Sequence, residues 1–393
     1  MENEGRSSVR LFGEVLASGS KCYRGVVAVS TPAVAGEIFL DRRTAATAAL
    51  TFVLLAGCAE LVSRGLSSSG ALYGRISLSG VLTSLPELED RIGWGLRGQS
   101  PPVLLLGDSV LGASAMVERG QPGARRSTLP SALAGRRALV RSRVVSLAAD
   151  GLVPGDLEAI SYVLERTAGR SGRPARVVLV VNVRMLASEL DHEGQRVSRD
   201  FLLPALPPGS RAELVPAAAP QGEAIGTRLY GGAASASALF RLSQQLRALW
   251  YYPTPADARQ RLVEAIFGKP PVGDVEEAAL RMRVEGFYQE LWREDAPAAR
   301  ALRRLVPALR RVDPRLLVVF SPQNPSYLAK GGPELPAANA DLLRTIVGQG
   351  ASGSFVDLSA AFGEELFLDH CHMTAEGNLR LAEEIDRLLG SHA

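Results

Sequence analysis

Lysine, cysteine and histidine are scarce in this chain of 393 residues: it has 3 cysteines and 4 histidines, and arginine supplies almost all of its basic charge. No CxxC pair is present, which argues against a zinc cluster and against a disulfide framework. The chain also lacks a phosphate-binding P-loop, a G-x-S-x-G nucleophile elbow and a G-x-G-x-x-G sequence that opens a Rossmann unit. At the level of motifs, these absences exclude P-loop nucleotide hydrolases, elbow-type α/β-hydrolases and Rossmann dinucleotide enzymes.

The net charge is only +3, and the densest basic stretch has no nucleic-acid signature. That stretch carries six arginines: Arg125, Arg126, Arg136, Arg137, Arg141 and Arg143. Because it lacks interleaved aromatic residues and any nucleic-acid module, a solvated helix face is the better interpretation, and we expect no nucleic-acid partner. The hydrophobic fraction of 46% is ordinary for a globular protein and is enough to fill a sizeable core.

Residues 44–62 form the one conspicuously apolar stretch, preceded by Arg42 and Arg43 and interrupted only by Glu60 near its end. The hydrocarbon core of a bilayer needs about 20 helical residues, so this stretch predicts a transmembrane anchor. The arginines ahead of it predict a cytoplasmic N-terminus and an extracytoplasmic position, on the periplasmic side, for residues 63–393.

Two other interpretations of the apolar stretch stay open. Its short length also fits a buried core helix. In addition, Leu55-Ala56-Gly57-Cys58 resembles the lipobox at which bacterial lipoprotein precursors are cut and acylated, so a lipoprotein anchored through Cys58 is the runner-up. The segment ahead of this box is much longer than the charged start of a signal peptide, which favours the transmembrane helix.

The chain divides by composition into four parts: an N-terminal cytoplasmic extension (1–43), the transmembrane anchor (44–62), a stalk (63–100) and a folded domain (101–393). The stalk is rich in Ser, Gly and Leu and contains an amphipathic helix near 85–96. The domain carries an insertion at about 190–300, too long for a simple crossover, whose second part has helical periodicity. We interpret this helical insertion as a lid or a surface for a partner.

Within the domain, short apolar runs of strand length alternate with helical stretches. They cover residues 103–106, 144–147, 177–181, 316–320 and 354–356. Each run is apolar on both of its faces, as in strands covered on two sides, and alternation with helices implies a parallel sheet. The sequence therefore predicts an α/β fold, a three-layer sandwich with a central parallel sheet.

Polar residues and glycines directly follow these runs. Asp108 and Ser109 come after the first run, Gly151 after the second, Asn182 after the third and residues 321–324 after the fourth. Sites in open parallel sheets form beyond the carboxyl ends of the strands, so we expect these residues to meet at one edge.

Ser109, His372 and Asp369 are the candidate catalytic residues. A serine hydroxyl becomes nucleophilic when a base takes its proton, and an imidazole with an ordinary pKa of about 6.5 suits that task at neutral pH. A carboxylate three residues away can fix the imidazole tautomer and stabilise the imidazolium. The backbone N–H groups of Ser109 and Gly151 and the side-chain amide of Asn182 are candidate donors to an oxyanion.

These motifs resemble the sequence blocks of the SGNH (GDSL-like) hydrolases. VLLLGDSV is similar to the first block, LAADG to the second, VVLVVNVR to the third, and DHCH followed by Met-Thr-x-x-Gly to the final D-x-x-H block. The resemblance covers residues 101–393 without the insertion and implies an SGNH hydrolase or flavodoxin-like fold. It also implies roles: Ser109 as nucleophile, His372 as general base, Asp369 as its orienting partner, and Gly151 and Asn182 in the oxyanion hole.

Asn324 and Trp250 are weaker candidates for substrate binding. Asn324 can simply form a turn, and Trp250 closes an amphipathic helix, where aromatic residues are more often core. We predict no cofactor. We also predict no metal site, because Cys371 stands directly between two histidines and adjacent positions are a poor spacing for zinc ligands.

Tethered SGNH-like domains outside the cytoplasmic membrane resemble proteins that add or remove O-acyl groups on envelope polysaccharides. We therefore expect a serine esterase or O-acyltransferase whose substrate is a cell-envelope polysaccharide or a small acyl ester, with an integral-membrane acyltransferase as a candidate partner. The sequence leaves hydrolysis and transfer open. The alternative is a non-catalytic, membrane-tethered module that binds a polymer or docks such an acyltransferase; a lipase ranks third, since no long apolar acyl groove is evident.

Overall fold

The computed structural model describes a defined part of the chain: residues 42–69, 82, 84–113, 115–116, 119, 121, 123–138, 141–149, 151–187, 200–207, 236–240, 242, 284–332, 334–348 and 355–391. The predictions about residues 1–41, about Trp250 and about most of the insertion lie outside these residues.

Five parallel strands form one sheet in the order β2-β1-β3-β4-β5. The strands are β1 (Val103–Leu106), β2 (Val144–Ser146), β3 (Arg176–Val181), β4 (Leu317–Phe320) and β5 (Phe355–Asp357). This confirms the predicted α/β class and the parallel sheet, and the strands lie at the predicted apolar runs. The runs at residues 103–106 and 177–181 are fully apolar because their side chains are buried on both faces of the sheet.

The helices that follow the first one connect the strands or pack beside the sheet. The helices are α1 (Arg42–Ser69), α2 (Leu85–Leu96), α3 (Leu129–Arg137), α4 (Pro154–Ser171), α5 (Pro297–Val312), α6 (Pro325–Leu328), α7 (Glu334–Gly348) and α8 (Ala375–Ser391). Helix α4 shows how the sequence sets these bounds: Pro154 opens it, the Asp156 carboxylate accepts the Val153 N–H at 3.0 Å, and Gly172 ends it in the left-handed region with φ of 61°.

The two faces of β1 pack into different apolar clusters. Leu104 and Leu106 belong to one cluster with residues of α2, α4, α5 and α7. Val103 and Leu105 belong to another with residues of α3 and α8. Alternate strand residues point to opposite faces, so each face of β1 packs against its own set of helices.

The strand order creates a topological switch point between β1 and β3. From β1 the chain moves outward to β2, and then returns to place β3 on the other side of β1. The connections after β1 and β3 therefore leave in opposite directions, and the space between them at the carboxyl ends of the strands is where open α/β sheets bind ligands. Ser109 follows β1 and Asn182 follows β3, so both residues line this position.

The predicted stalk differs from the structure at α2. The amphipathic helix lies where the sequence predicts it, but its Leu88 and Ile92 are fully buried in the core. Its Glu87 and Arg91 form a buried ion pair, and Ser84 caps its first turn. Because the apolar face of this helix packs against the sheet, residues 85–96 are part of the α/β domain and not of a stalk.

Helix α1 contains a segment, Ala46–Leu66, that is long and apolar enough in its 21 residues to cross a membrane. Its large apolar side chains are exposed: Leu50, Phe52, Val53, Leu54, Leu55, Leu61 and Val62. A core helix would bury these side chains against the protein, so their exposure favours a membrane helix over the buried core helix that the sequence left open.

Glu60, the acidic residue inside this segment, contacts the insertion. Its carboxylate accepts the Ser237 hydroxyl at 2.9 Å and the N–H groups of Ala238 and Leu239 at 2.8 and 3.0 Å, besides the Arg64 guanidinium at 3.0 Å. A carboxylate near lipid is costly unless its oxygens are satisfied, and the first N–H groups of a helical turn need acceptors. The contact therefore satisfies the Glu60 carboxylate and the N–H groups of Ala238 and Leu239, and it joins the insertion to α1.

Glu60→Ala should release the insertion from α1. We expect the thiol introduced by Ala238→Cys, in a chain whose native cysteines are replaced by serine, to react slowly with a maleimide, because Ala238 is only 1% exposed. Adding Glu60→Ala should raise that rate at least about tenfold by opening the contact, a loss of roughly 1.4 kcal/mol or more.

The thiol introduced by Leu239→Cys is the matched control. Leu239 is 38% exposed, so this thiol should react readily whether or not Glu60 is present. Equal, fast labelling at position 238 with Glu60 intact would show that the contact does not form.

Candidate active site

Ser109 is presented by a tight turn at the end of β1. A Cβ atom at Gly107 would lie 2.8 Å from Leu111 Cδ1 and 3.1 Å from the Val180 carbonyl oxygen, so only glycine allows the chain to pass so close to β3. A 3-10 turn over Ser109–Leu111 follows, and the Asp108 carboxylate caps it by accepting the Val110 N–H at 3.2 Å. The turn ends the strand before Ser109, and the Ser109 side chain contacts His372.

Asp108 and Asn182 form a buried pair beneath the serine. Each is 1% exposed, and Asn182 Nδ2 donates to Asp108 Oδ2 over 2.5 Å. Asn182 Oδ1 accepts the Met185 N–H at 3.1 Å, which sets the orientation of the amide. Burial raises the pKa of Asp108, against the lowering effects of the Val110 N–H, Arg184, His372 and Asn182. The pair joins the carboxyl ends of β1 and β3.

Ser109, His372 and Asp369 form a continuous line of side-chain contacts. His372 Nε2 lies 3.0 Å from Ser109 Oγ, and His372 Nδ1 lies 2.8 Å from Asp369 Oδ2. With the Nδ1 proton donated to Asp369, the lone pair of Nε2 faces the serine hydroxyl. The imidazole is thus placed to accept the serine proton.

The loop that carries Asp369 and His372 is built around the Asp369 carboxylate. Its Oδ1 accepts the N–H groups of Cys371 at 3.0 Å and of His372 at 2.8 Å. Asn324, from the end of β4, donates its side-chain amide to the Asp369 carbonyl at 3.1 Å and its N–H to the His370 carbonyl at 3.0 Å. The loop that carries this acid–imidazole pair is thus held by hydrogen bonds from the end of a neighbouring strand.

Tyr288, at the C-terminal end of the insertion, reaches the same loop. Its hydroxyl lies 2.7 Å from Gln323 Oε1 and 2.8 Å from the His370 carbonyl oxygen, so its one proton is shared between two acceptors. The ring of His370 contacts those of Tyr288 and Tyr327. No local sequence signal marks Tyr288, because its partners lie 35 and 82 residues away along the chain.

The electrostatics of the loop favour a charged pair. Burial by itself would lower the pKa of His372, but the Cys371 sulfur and the Asp369 carboxylate outweigh it and hold that pKa well above its ordinary value. Burial would likewise raise the pKa of Asp369, but the hydrogen bonds and charge of His372 hold it well below its usual range. Asp369 is therefore ionised beside His372, and a carboxylate in this position stabilises an imidazolium.

The candidate oxyanion donors have different surroundings. Within the described residues, the N–H groups of Ser109 and Gly151 donate to no protein acceptor. Gly151 has a φ of 73°, in the left-handed region that favours glycine. An amide nitrogen carries two protons, so Asn182 can donate one to Asp108 and keep the other for a ligand. Each of the three predicted groups thus has a proton that no described protein atom accepts.

Of the two weaker candidates for substrate binding, one is hydrogen-bonded within the protein and the other lies outside the described residues. Asn324 caps α6 by accepting the Ser326 N–H at 3.0 Å, and its amide holds the Asp369 carbonyl, so its polar atoms are engaged within the protein. Trp250 lies outside the described residues. Cys371 is 5% exposed, and its sulfur lies 3.3 Å from His370 Nε2 and 3.8 Å from His372 Nδ1.

Comparison of the chain with models of known protein families and with curated proteins finds no match. Its function is therefore inferred from its own residues and their geometry.

The imidazole of His372 should titrate above its ordinary pKa of about 6.5. The protonated form gains from the Cys371 sulfur and from Asp369, so a reaction that needs neutral His372 loses rate as the pH falls through this raised pKa. Titration of the imidazole carbon-bound protons by NMR measures it. Asp369→Asn should lower the value, whereas Asn324→Ala, which leaves the carboxylate in place, should change it less. A His372 pKa at or below the ordinary value would contradict this electrostatic account.

Asp108 and Asn182 should be energetically coupled. Removing one partner leaves a buried polar group unsatisfied, at a cost of about 1–3 kcal/mol, whereas removing both leaves neither. In a double-mutant cycle of Asp108→Ala and Asn182→Ala, measured by urea unfolding, the double variant should therefore lose less stability than the sum of the single losses. Strictly additive losses would mean that the two side chains do not interact.

Proposed function

We propose that this protein is a membrane-anchored serine esterase or O-acyltransferase of the SGNH type, acting on acyl esters of a cell-envelope glycan through a Ser109 acyl-enzyme. One observation carries the proposal: Ser109 Oγ, the imidazole of His372 and the carboxylate of Asp369 are in hydrogen-bond contact in that order. An activated serine of this kind transfers acyl groups.

The arrangement of the sheet supports the SGNH part of the proposal. The strand order β2-β1-β3-β4-β5 is the flavodoxin-like order, and apolar clusters on both faces of β1 fit a three-layer sandwich. The serine follows β1, the amide of Asn182 follows β3, and the acid–imidazole pair directly precedes α8. These positions agree with the order of the blocks that the sequence resembles.

Acylation begins when His372 Nε2 takes the proton of Ser109 Oγ as that oxygen attacks the acyl carbonyl carbon. The carbonyl π electrons move to oxygen and form a tetrahedral oxyanion. His372 then gives the same proton to the leaving alcohol oxygen, the C–O bond of the ester breaks, and Ser109 retains the acyl group. Asp369 stays ionised throughout and stabilises the imidazolium.

Deacylation repeats the sequence with a second hydroxyl. His372 takes a proton from water or from a sugar hydroxyl, whose oxygen attacks the acyl-serine carbonyl. The proton returns to Ser109 Oγ as the acyl–serine bond breaks. Water gives a free acid and an esterase; a sugar hydroxyl gives a new ester and an acyltransferase.

Three donors support the developing oxyanion: the N–H groups of Ser109 and Gly151 and the second amide proton of Asn182. Donors preorganised in this way contribute about 3 kcal/mol each to the transition state. The Asp108 bond contributes indirectly, because it prevents the Asn182 amide from rotating away. Asn182→Ala should therefore lower kcat about 100-fold or more.

The anchor supports an envelope substrate. Arg42 and Arg43, which precede the apolar segment, favour an extracytoplasmic domain, whose active site would then face the envelope glycans. The exposed apolar surface of Ala46–Leu66 fits a helix surrounded by lipid.

A fluorophosphonate probe tests the nucleophile directly. We expect the wild-type protein to be labelled at Ser109, Ser109→Ala to be unlabelled and His372→Ala to be labelled at least about 1000-fold more slowly, because the triad members act as a unit. Ser326→Ala is the matched control, since Ser326 is hydrogen-bonded in the cap of α6 and should not affect labelling.

The outcomes separate the enzyme from the non-catalytic module. A wild-type protein that resists the probe, or a Ser109→Ala variant that is labelled equally, would contradict the acyl-enzyme and favour a polymer-binding or docking module. Activity on acetylated polysaccharide, with product analysis for free acetate or for acetyl groups moved to an acceptor glycan, then separates hydrolysis from transfer.

A further inference from the structure

The loop that carries the acid–imidazole pair contains a third potential metal ligand that acyl transfer does not require. Ligand atoms of Asp369, Cys371 and His372 all lie within 4.8 Å of one another. Cys371 is buried, and its sulfur faces the imidazoles on either side of it. The three atoms are the carboxylate oxygen, the sulfur and His372 Nδ1.

We propose that Asp369, Cys371 and His372 form a binding site for a thiophilic divalent cation such as Zn²⁺, and that occupation of this site switches the catalytic serine off. The metal-binding half of the proposal stands on the loop geometry alone. The inhibitory half rests on the proposed function of Ser109 and His372.

The spacing of the three atoms suits tetrahedral coordination. Zinc bonds of about 2.0–2.3 Å place neighbouring tetrahedral ligand atoms roughly 3.3–3.7 Å apart. Cys371 Sγ lies 3.8 Å from His372 Nδ1, and Nδ1 lies 2.8 and 3.1 Å from the two carboxylate oxygens of Asp369. The Nδ1 distances lie within about 0.5 Å of this spacing, and the sulfur and a carboxylate oxygen of Asp369 lie within 4.8 Å of each other. Movement of these side chains to tetrahedral spacing would seat the ion, with a fourth position open to water or chloride.

The donor types suit zinc as well. Thiolate, imidazole and carboxylate are the three ligand classes that zinc takes in proteins, and the thiolate selects it over Mg²⁺ and Ca²⁺. The sequence argues against this site because adjacent side chains normally point apart. Here the Asp369 carboxylate accepts the N–H groups of both Cys371 and His372, and this turn brings the three side chains together.

Metal binding and catalysis exclude each other through the imidazole tautomer. A neutral imidazole carries one N–H, and a metal on Nδ1 forces that proton onto Nε2. Nε2 would then donate to Ser109 Oγ instead of accepting from it, and Asp369 would bind the metal instead of the imidazole. Both effects remove the base, so the serine is no longer activated.

Cobalt provides a readout that does not depend on activity. Added to the full-length wild-type protein, Co²⁺ should give the near-ultraviolet thiolate-to-cobalt absorption of a Co–S bond. Cys371→Ser should abolish this absorption, whereas Cys58→Ser, which alters the exposed cysteine of α1, should leave it unchanged. Ser109→Ala should also retain it, because the serine is not a ligand.

Zinc then tests the inhibitory half on the same proteins. Zn²⁺ should slow fluorophosphonate labelling of the wild type at least tenfold, and EDTA should restore it. Cys371→Ser should need at least tenfold more Zn²⁺ for the same relative slowing, each protein being compared with its own metal-free rate.

The outcomes distinguish the two proposals. The absence of a thiolate–cobalt band in the wild type, or a band that survives Cys371→Ser, overturns the metal site. A band without any slowing by Zn²⁺ overturns the switch. If the metal-free wild type is not labelled at all, the acyl-enzyme fails while the cobalt result still decides the metal site.

Discussion

The hydrogen bond between Ser109 Oγ and His372 Nε2 joins residues that are 263 positions apart, and the proposed chemistry depends on it. The parallel sheet makes this meeting possible. Ser109 stands on the turn after β1, and His372 stands on a loop that Asn324 holds from the end of β4. Asn182, at the end of β3, donates a hydrogen bond to Asp108, which precedes Ser109. The carboxyl ends of three neighbouring strands thus position one proton-transfer contact.

Two carboxylates near this contact have opposite environments. Burial raises the pKa of Asp108, whose hydrogen-bond donors are the neutral amides of Val110 and Asn182, whereas His372 holds the pKa of Asp369 well below its usual range. Different environments of this kind give similar groups different tasks. Asp369 carries the negative charge that an imidazolium needs. Asp108 instead fixes the turn of Ser109 and the amide of Asn182.

Local sequence patterns predict the strands and helices, because these elements depend on residues that are close together in the chain. The apolar runs predict the strands because both faces of these strands are buried, and they show that Asp108 and Ser109 directly follow the first strand. The periodicity of residues 85–96 predicts a helix, yet it does not show that the sheet uses its apolar face. The contacts of Glu60 with Ala238 and of Tyr288 with the His370 carbonyl have no local signature, since each joins distant segments. The approach of the Asp369, Cys371 and His372 side chains to one another depends on a turn that residue spacing alone does not show.

The most direct test of the account is a kinetic double-mutant cycle on Ser109 and His372. The rate of aryl acetate hydrolysis would be measured for the wild type, Ser109→Ala, His372→Ala and the double variant. If the two side chains act as one unit, each single substitution removes nearly all activity and the double variant loses no more. Single-variant losses that multiply in the double variant, or an active Ser109→Ala protein, would contradict the account.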